Sequence, residues 1–289
     1  MRKKLVISLI GSLLVLSGSA TYAAGPGTTA ANFLKIGVGA RAVAMGEAFT
    51  AIADDATALY WNPAGLSQLK KGGLSVSYNS WFADVSQGYI SLTFPALGGT
   101  VALGANYLDA GKIEGYDAQG NPTGDFTASS FQANLGYAVG DSLSFGLAAG
   151  MLQDTIEDSK KTAYLGTVGV LLKGASFSLG ISAQNLGQNL GEDPLPFILK
   201  AGVGARWGSL ILAADVGMPQ DNDTYFCAGG EWWLGGIFAL RAGYKTGQDI
   251  GPGYTAGIGF KTNSFSLDYA YVPYDDLGTT HRVSLGIGF

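Results

Sequence analysis

From residue 73 to the end of the chain, apolar and polar residues alternate with period two in fourteen short runs. In the last run Val283, Leu285, Ile287 and Phe289 would face one side, and Arg282, Ser284, Gly286 and Gly288 the other. Strands of a membrane barrel alternate in this way because one face meets lipid and the other meets the interior. The pattern predicts an all-β transmembrane fold, a closed antiparallel barrel of about fourteen strands.

The connections between these runs alternate strictly between short and long. We place the strands at 73–80, 88–95, 99–108, 127–139, 142–152, 163–173, 175–184, 196–207, 209–217, 224–234, 236–245, 254–262, 264–272 and 281–289. Tight turns such as Gly140-Asp141 alternate with polar segments such as Asp109–Phe126 and Gln153–Thr162, which we interpret as loops. Outer-membrane barrels have short periplasmic turns and longer extracellular loops, so the alternation favours this class.

The first residues indicate export. Arg2, Lys3 and Lys4 precede an apolar run from Leu5 to Leu16, the order found in a secretory signal peptide, which we assign to residues 1–23. That run is too short for a spanning helix, and no later apolar run reaches the ~20 residues needed. Charged residues make up only 13% of the chain, half the usual share of a soluble domain. An exported, apolar chain without spanning helices is expected to be a barrel of the bacterial outer membrane.

Charge and composition exclude several functions. Without the signal the chain has 17 − 3 = 14 basic and 22 acidic residues, a formal charge of −8, which argues against nucleic acid as a partner. With one cysteine, Cys227, and one histidine, His281, we expect no metal site, no cofactor and no catalytic residue. Cys227 is predicted to fill space in the lumen. The protein is therefore predicted not to be an enzyme.

Two motifs suggest chemistry that their context does not support. Residues 37–42 fit a dinucleotide-binding fingerprint but lack the βαβ unit that such a site requires. Gly140-Asp141-Ser142-Leu143 matches a lipase-like tetrapeptide, but it falls in a predicted periplasmic turn. The lone candidate base, His281, starts the last strand at the opposite end, so a serine-hydrolase arrangement is not expected.

Residues 24–72 differ from the barrel segment, 73–289, and are predicted to form an N-terminal plug of helices and loops. Arg41–Ala53 has a helical pattern. Asp54 or Asp55 would cap a short helix from Ala56 to Tyr60, which Trp61-Asn62-Pro63 ends. Such a short segment cannot hold a core of its own, so we expect it to pack inside the lumen.

Part of this segment resembles a known family. The residues Ala53-Asp54-Asp55-Ala56, followed by Trp61-Asn62-Pro63-Ala64-Gly65, resemble the start of the PorV/PorQ family within the wider FadL-like barrels. The resemblance implies that Asn62-Pro63-Ala64 marks the plug. It also implies that the C-terminal aromatic Phe289 is an assembly signal read by the barrel assembly machinery.

The resemblance implies two roles. PorV-like proteins serve a secretion machine, so the partners would be secretion-system subunits or exported proteins; FadL-like proteins pass small hydrophobic compounds. The chain is shorter than typical FadL transporters and its predicted loops are small. We therefore expect a PorV-like component of protein export, with a FadL-like passive channel or a structural barrel with little transport as alternatives. In each case outer-membrane lipid surrounds the barrel.

Strand parity also predicts charges inside the lumen. The inward basic residues are Lys200, Arg206, Arg241, Lys261 and Arg282, and the plug carries Glu47, Asp54 and Asp55. Charges in a narrow lumen are costly unless they are paired. We therefore predict that Asp54 or Asp55 docks on Arg241 or Arg206 and holds the channel shut. The alternative is that these aspartates only cap the short helix.

Overall fold

The computed structural model of the protein describes residues 25–248 and 250–289, so the predicted signal peptide at residues 1–23 lies outside it. Fourteen antiparallel strands within this range form one closed barrel in sequence order, and β14 pairs with β1 from Gly73↔Gly288 to Ser80↔His281. The strands are β1 Gly73–Ser80, β2 Ser86–Ala96, β3 Gly99–Tyr116, β4 Pro122–Gly140, β5 Leu143–Ile156, β6 Ser159–Lys173, β7 Phe177–Gly187, β8 Ile198–Trp207, β9 Leu210–Pro219, β10 Tyr225–Leu234, β11 Phe238–Lys245, β12 Tyr254–Lys261, β13 Phe265–Pro273 and β14 Thr279–Gly288. The predicted fold class is confirmed.

The outer surface of the barrel is an apolar belt. On β14 Val283 and Ile287 point outward and are exposed, whereas Arg282 and Ser284 point inward and are buried. Tyr78 and Tyr244 lie outward near the end with the longer connections, and Trp207 and Trp232 lie outward near the end with the short turns. We call these the long-loop end and the short-turn end. A closed barrel with such a belt spans the bacterial outer membrane, and its short-turn end is periplasmic.

No helix among the residues that the structure describes has both the length and the apolar character needed to cross a membrane.

Two predicted loops are wrong. Most of Asp109–Phe126 and Gln153–Thr162 belongs to the hairpins β3–β4 and β5–β6, and the β3–β4 hairpin runs past its neighbouring strands. The pairing of β2 with β3 ends at Asp109, while β3 and β4 stay paired as far as Tyr116. Both faces of such a protruding ribbon meet solvent. The apolar alternation that marks a strand in lipid is therefore absent from its sequence.

Residues 25–72 fill the lumen from one end to the other. At the long-loop end Lys35 pairs with Asp221, and Ala30 N donates to Pro194 O at 2.9 Å. The segment then crosses the lumen and reaches β1 at the short-turn end. Its regular elements are short: helices α1 Ala40–Ala44 and α2 Ala58–Trp61, and the 3-10 turns Asn32–Lys35 and Pro63–Gln68. The main apolar core lies inside the barrel, between this segment and the wall.

The helix predicted over Arg41–Ala53 ends after five residues, at Ala44. Gly46 and Glu47 have φ values of +64° and +65°, which no α-helix accommodates. The N–H groups of Phe49 and Thr50 donate to the wall carboxylate Asp215 at 2.9 and 2.8 Å. The barrel therefore satisfies backbone groups that a helix would otherwise pair.

Candidate functional site: the plug and the lumen wall

Glycines of the wall let the plug backbone lie directly against the strands. A Cβ atom added at Gly243 or Gly229 would overlap the plug backbone at Met45 and Gly46. One added at Gly146 would overlap the backbone at Pro63. Side chains at these positions would hold the plug off the wall. The direct contact between the plug backbone and the wall glycines leaves no open pore along these strands. It also accounts for part of the high glycine content of the chain.

Arg41 of α1 joins the plug to the wall. Its Nε and Nη2 donate to the two carboxylate oxygens of Glu231 on β10, both at 2.8 Å. Its Nη1 donates to Asp54 Oδ1 at 2.6 Å and to Asp55 Oδ2 at 3.3 Å. The Glu231 side chain is fully buried. A planar guanidinium bound by both oxygens of a buried carboxylate is a strong and directional contact.

The wall extends this network on both sides. Arg241 Nε donates to Glu231 Oε2 at 2.7 Å, and Arg241 Nη1 lies 2.8 Å from Asp268 Oδ1. On the other side Arg206 Nη2 donates to Asp54 Oδ2 at 2.8 Å. Asp54 therefore meets Arg206, but neither plug aspartate docks on Arg241, as the alternative pairing required. Two wall carboxylates already hold Arg241, and Arg41 stands between it and the plug aspartates.

The arginines also set the ionisation of Asp54. Burial raises the pKa of this plug carboxyl, but the charges of Arg41 and Arg206 outweigh burial and leave the pKa below its ordinary value. Asp54 is therefore ionised in the closed plug. Asp55 has a second role, because its Oδ1 accepts from Thr57 N at 2.9 Å and so orders the turn before α2. Asp55 does not cap the helix: α2 starts at Ala58 and not at Ala56, and Thr57 is its N-cap residue, without a side-chain capping bond.

A second group of charges lies higher in the lumen. Lys245 Nζ donates to Glu47 Oε2 at 2.6 Å, which ties the plug to β11. The Lys200 ammonium lies 4.7 Å from the ring centroid of Trp61 and 5.7 Å from that of Tyr225. Cation–π contacts of this kind stabilise a buried cation without a direct carboxylate partner. Plug and wall are thus held together by charge at two levels.

The predicted plug motif has a structural role at each residue. Trp61 Nε1 donates to Val38 O at 3.1 Å, across the fold of the plug. Asn62 Oδ1 accepts from Ala64 N at 3.1 Å, and its Nδ2 donates to Thr50 O at 2.8 Å and Val170 O at 3.2 Å. Pro63 and Ala64 are buried, and Gly65 packs against Ala53 so closely that no side chain would fit. The motif closes the plug on itself and on β6.

At the long-loop end the lumen is apolar. Phe33 and Leu34 of the plug pack with Leu152, Ala163 and Leu165 of β5 and β6, and with Leu190 and Leu195 of the next loop. The hydroxyl of Tyr60 donates to Leu34 O at 2.9 Å and to Ile36 O at 3.1 Å, which holds this stretch down. We call these seven side chains the entrance cluster. These side chains form a second apolar core, separate from the main one between the plug and the wall.

The other predicted site residues are dispersed. Arg282 is buried, and its Nη1 donates to Gly37 O at 2.9 Å. Lys261 is exposed at the short-turn end and borders a cavity of about 440 Å³, together with Asp55 and Lys70.

Phe289 is 67% exposed on the outside, and its N–H donates to Gly72 O at 3.0 Å. Cys227 is buried in the lumen, and His281 stays at the long-loop end beside Tyr269.

Sequence reasoning missed Arg41, Glu231 and Asp268 as members of the central network. Parity places Glu231 inward but does not say which charge it meets. One available signal was that Arg41 is the only arginine of residues 24–72. Among the described residues no group of three or more His, Cys, Asp or Glu side chains is arranged to hold a metal ion.

The comparisons with known proteins agree with this geometry at the level of fold. The profile described as "Uncharacterised protein family (UPF0164)" matches residues 15–107, less than half of the chain. No curated protein sequence matches. The toluene transporter TodX of Pseudomonas putida is similar in structure, with a TM-score of 0.63 and 14% identity, covering 86% of this chain and 96% of that one.

Two further solved structures are similar. The toluene transporter TbuX of Ralstonia pickettii has a TM-score of 0.59 and 15% identity, covering 87% of this chain and 97% of that one. A Pseudomonas aeruginosa FadL homologue has a TM-score of 0.53 and 12% identity, covering 83% and 95%. The fold is that of the FadL-like barrels. At these identities the likeness concerns the fold alone.

Proposed function

We propose that the protein is a gated, non-enzymatic outer-membrane channel for small hydrophobic compounds. The observation that carries this proposal is the plug, which fills the lumen and is fastened to the wall by ion pairs at two levels. Ion pairs with accessible members can be broken and remade without unfolding the barrel. The side chains of Asp54 and Arg206 are 22% and 37% exposed, so their pair is open to water and to competing charges.

The entrance cluster supports an apolar substrate. It places Phe33, Leu34 and their wall partners at the end of the lumen that faces the outside of the cell. The similar TodX and TbuX proteins are described as toluene transporters. This chain would take compounds of that kind at the entrance cluster and pass them on when the plug moves.

Uptake of radiolabelled toluene tests this proposal. Cells without FadL-like barrels of their own would express either the full chain or the variant Leu152→Gln with Leu195→Gln, which makes the entrance cluster polar. We expect the wild type to take up toluene several-fold faster than empty-vector cells, and the variant to lose most of that gain at equal folded amount. Equal uptake by all three strains would contradict the channel.

A second candidate is a PorV-like component that serves protein export. The resemblance at Asp54-Asp55 and Asn62-Pro63-Ala64 supports it, as does the close packing of plug against wall glycines. A barrel with a sealed lumen would act through its surface. The β3–β4 hairpin, which projects beyond its neighbours over residues 110–127, offers such a surface.

Affinity purification from native membranes separates the two candidates. Export would be supported if secretion subunits or exported proteins accompany the full chain but not a variant whose residues 110–127 are replaced by a short turn. If the same proteins accompany both, export is supported but the hairpin is not the surface that binds them. If none does, the channel proposal stands alone.

A further inference from the structure

Five basic residues surround the lumen opening at the short-turn end. We call this set the basic mouth, and its members are Lys70, Lys71, Lys173, Arg206 and Lys261. They lie just before β1 and at the ends of β6, β8 and β12, so they are spread around the barrel. The four lysines are exposed, and the Arg206 side chain is 37% exposed. The chain has only 17 − 3 = 14 basic residues after the predicted signal, so more than a third of them lie here.

The wall members of the basic mouth occupy inward-facing strand positions. Lys173 shares strand parity with buried Leu171 on β6, and Lys261 shares it with buried Thr255 on β12. Basic residues that serve the lipid phosphates would lie on the outward face of the barrel, which meets the membrane. The basic mouth therefore faces the periplasmic space beneath the plug and not the surrounding lipid.

The positive charge of the mouth is not neutralised by the barrel itself. Within residues 25–248 and 250–289 no salt bridge joins any of the four lysines to a carboxylate. Lys173 Nζ donates to the amide oxygen of Gln68 at 3.3 Å, and the plug aspartates are held by Arg41 and Arg206. Clustered cations of this kind attract anions over a Debye length, ~8 Å at physiological ionic strength.

The long-loop end carries the opposite charge. Exposed carboxylates such as those of Asp158 and Glu192 outnumber the exposed lysines of that end, which include Lys112, Lys160 and Lys161. The excess of exposed positive charge is thus found at the periplasmic end alone. A partner that recognises this charge is acidic and approaches from the periplasm.

Two cavities lead from the basic mouth to the plug. Lys261 and Asp55 border one of about 440 Å³, and Lys173, Arg206 and Asp54 border another of about 360 Å³. Ligand pockets measure ~300–1,000 Å³, so each cavity has room for a side chain of a docked segment. A carboxylate that enters the second cavity meets Arg206 beside its ion pair with Asp54.

We propose that the basic mouth is a docking surface for an acidic segment of a periplasmic protein. Carboxylates of this segment pair with the lysines at the rim, and one of them competes with Asp54 for the Arg206 guanidinium. Docking thereby weakens the attachment of the plug from the periplasmic side. The docking stands on the charge and geometry of the mouth, whereas its effect on the plug rests on the proposed channel.

Fluorescence anisotropy tests the docking, with the full chain in phosphatidylcholine nanodiscs. The probe is a fluorescein-labelled peptide of alternating aspartate and serine, and the same peptide with asparagine in place of aspartate is the blank. Each exposed ion pair contributes roughly a two- to fivefold change in Kd, so we expect Lys70→Gln, Lys71→Gln and Lys261→Gln together to weaken binding roughly tenfold or more.

A matched control removes the same charge from the other end of the barrel. The combined variant Lys112→Gln, Lys160→Gln and Lys161→Gln should bind the acidic peptide as the wild type does. Heat-modified gel mobility shows whether each variant is folded. The docking proposal is overturned if the wild type does not bind the peptide, or if the mouth variant and the control bind it equally. Full displacement by millimolar phosphate also overturns it, since the mouth would then hold small anions only.

Planar-bilayer recording tests the effect on the plug. The acidic peptide should make openings of the wild type more frequent and should add nothing in Arg206→Gln, whose latch with Asp54 is already absent. A peptide that binds without changing the openings contradicts competition for Arg206. The binding measurement does not depend on toluene uptake, so failure of the docking and failure of the channel are distinguishable.

Discussion

Arg41 is the side chain on which the attachment of the plug depends most. One guanidinium contacts Glu231 on the wall and both Asp54 and Asp55 on the plug. It therefore neutralises carboxylates that would otherwise repel one another across the plug–wall boundary. Removing it leaves Glu231 paired with Arg241 and Asp54 paired with Arg206, so the plug loses its central link but not its outer one.

Substitution Arg41→Gln should loosen the plug without unfolding the barrel. Removing one member of a fully buried pair costs ~3–5 kcal/mol. The cost here is smaller because Glu231 and Asp54 each keep a second arginine, Arg241 and Arg206. In planar bilayers we expect frequent brief openings where the wild type is closed. Arg206→Gln is the control, since the partly exposed ion pair of Arg206 with Asp54 stabilises the closed plug less than the buried contacts of Arg41 do. Equal effects of the two variants would contradict a central role for Arg41.

The dependence of plug closure on pH follows from Asp54. The pKa of Asp54 is lowered by Arg41 and Arg206. Its ion pairs therefore stabilise the closed plug fully at any pH above the ordinary aspartate pKa of about 3.9. That contribution is lost as the pH falls through the lowered pKa of the folded state. We expect bilayer conductance to stay low from pH 7 to pH 5 and to rise only below about pH 4. An opening centred near pH 6 would show that another group controls the plug.

Residue pairings of this kind could be predicted only in part. Alternation on β8 and β11 places Arg206 and Arg241 in the lumen, and the contact between Asp54 and Arg206 follows from their shared position at the short-turn end. The partner of Arg241 does not follow, because side chains up to several strands apart compete for it. Glu231 lies directly opposite Arg241 on the adjacent strand β10, whereas Asp268 reaches Arg241 from β13, two strands away.

At the scale of elements, the plug backbone can lie directly against the strands because the wall residues at the contact are glycines, which have no side chain. Gly243→Ala should therefore displace the plug, because its Cβ would overlap backbone at Met45 and Gly46, which cannot rotate away. Overpacking of this kind costs ~1–3 kcal/mol. Thermal unfolding followed by gel mobility measures it. Gly88→Ala is the matched control, since nothing lies within 4 Å of its Cβ position, and a loss as large there would refute the explanation.

The last strand carries the prediction about assembly. Phe289 is exposed on the outside at the short-turn end, where periplasmic assembly machinery could contact it. Deleting Phe289 should lower the amount of folded barrel, while export across the inner membrane is unchanged. The measurement is the folded fraction at low expression. Phe265→Ala, on the adjacent strand, controls for loss of an exposed aromatic. An unchanged folded fraction after the deletion would contradict the assembly role.

The strands were more predictable than the plug, for a physical reason. In β14 lipid and lumen impose period two on every residue, so the sequence shows both the strand and its two faces. The β3–β4 ribbon beyond Asp109 meets water on both faces, and there the pattern stops although the strands continue. In the plug, Asp215 of the wall satisfies the N–H groups of Phe49 and Thr50, and local helical pattern does not record such a partner.

The molecule as a whole is an outer-membrane barrel whose lumen is closed by residues 25–72. Ion pairs fasten this segment at two levels inside the lumen and, through Lys35 and Asp221, at the long-loop end. Its backbone lies against glycines of the wall, and the entrance cluster lies at its outer end. The channel proposal depends on this closure. If the lumen were open at rest, gating by the plug would have no role.

Single-channel recording in planar bilayers tests this claim most directly. The full chain should be silent or show rare, brief openings, whereas deletion of residues 24–66 should give a large and steady conductance. Both proteins must first show the heat-modified gel mobility of a folded barrel. A full chain that conducts as steadily as the deletion variant, or a deletion variant that stays silent, would contradict the account.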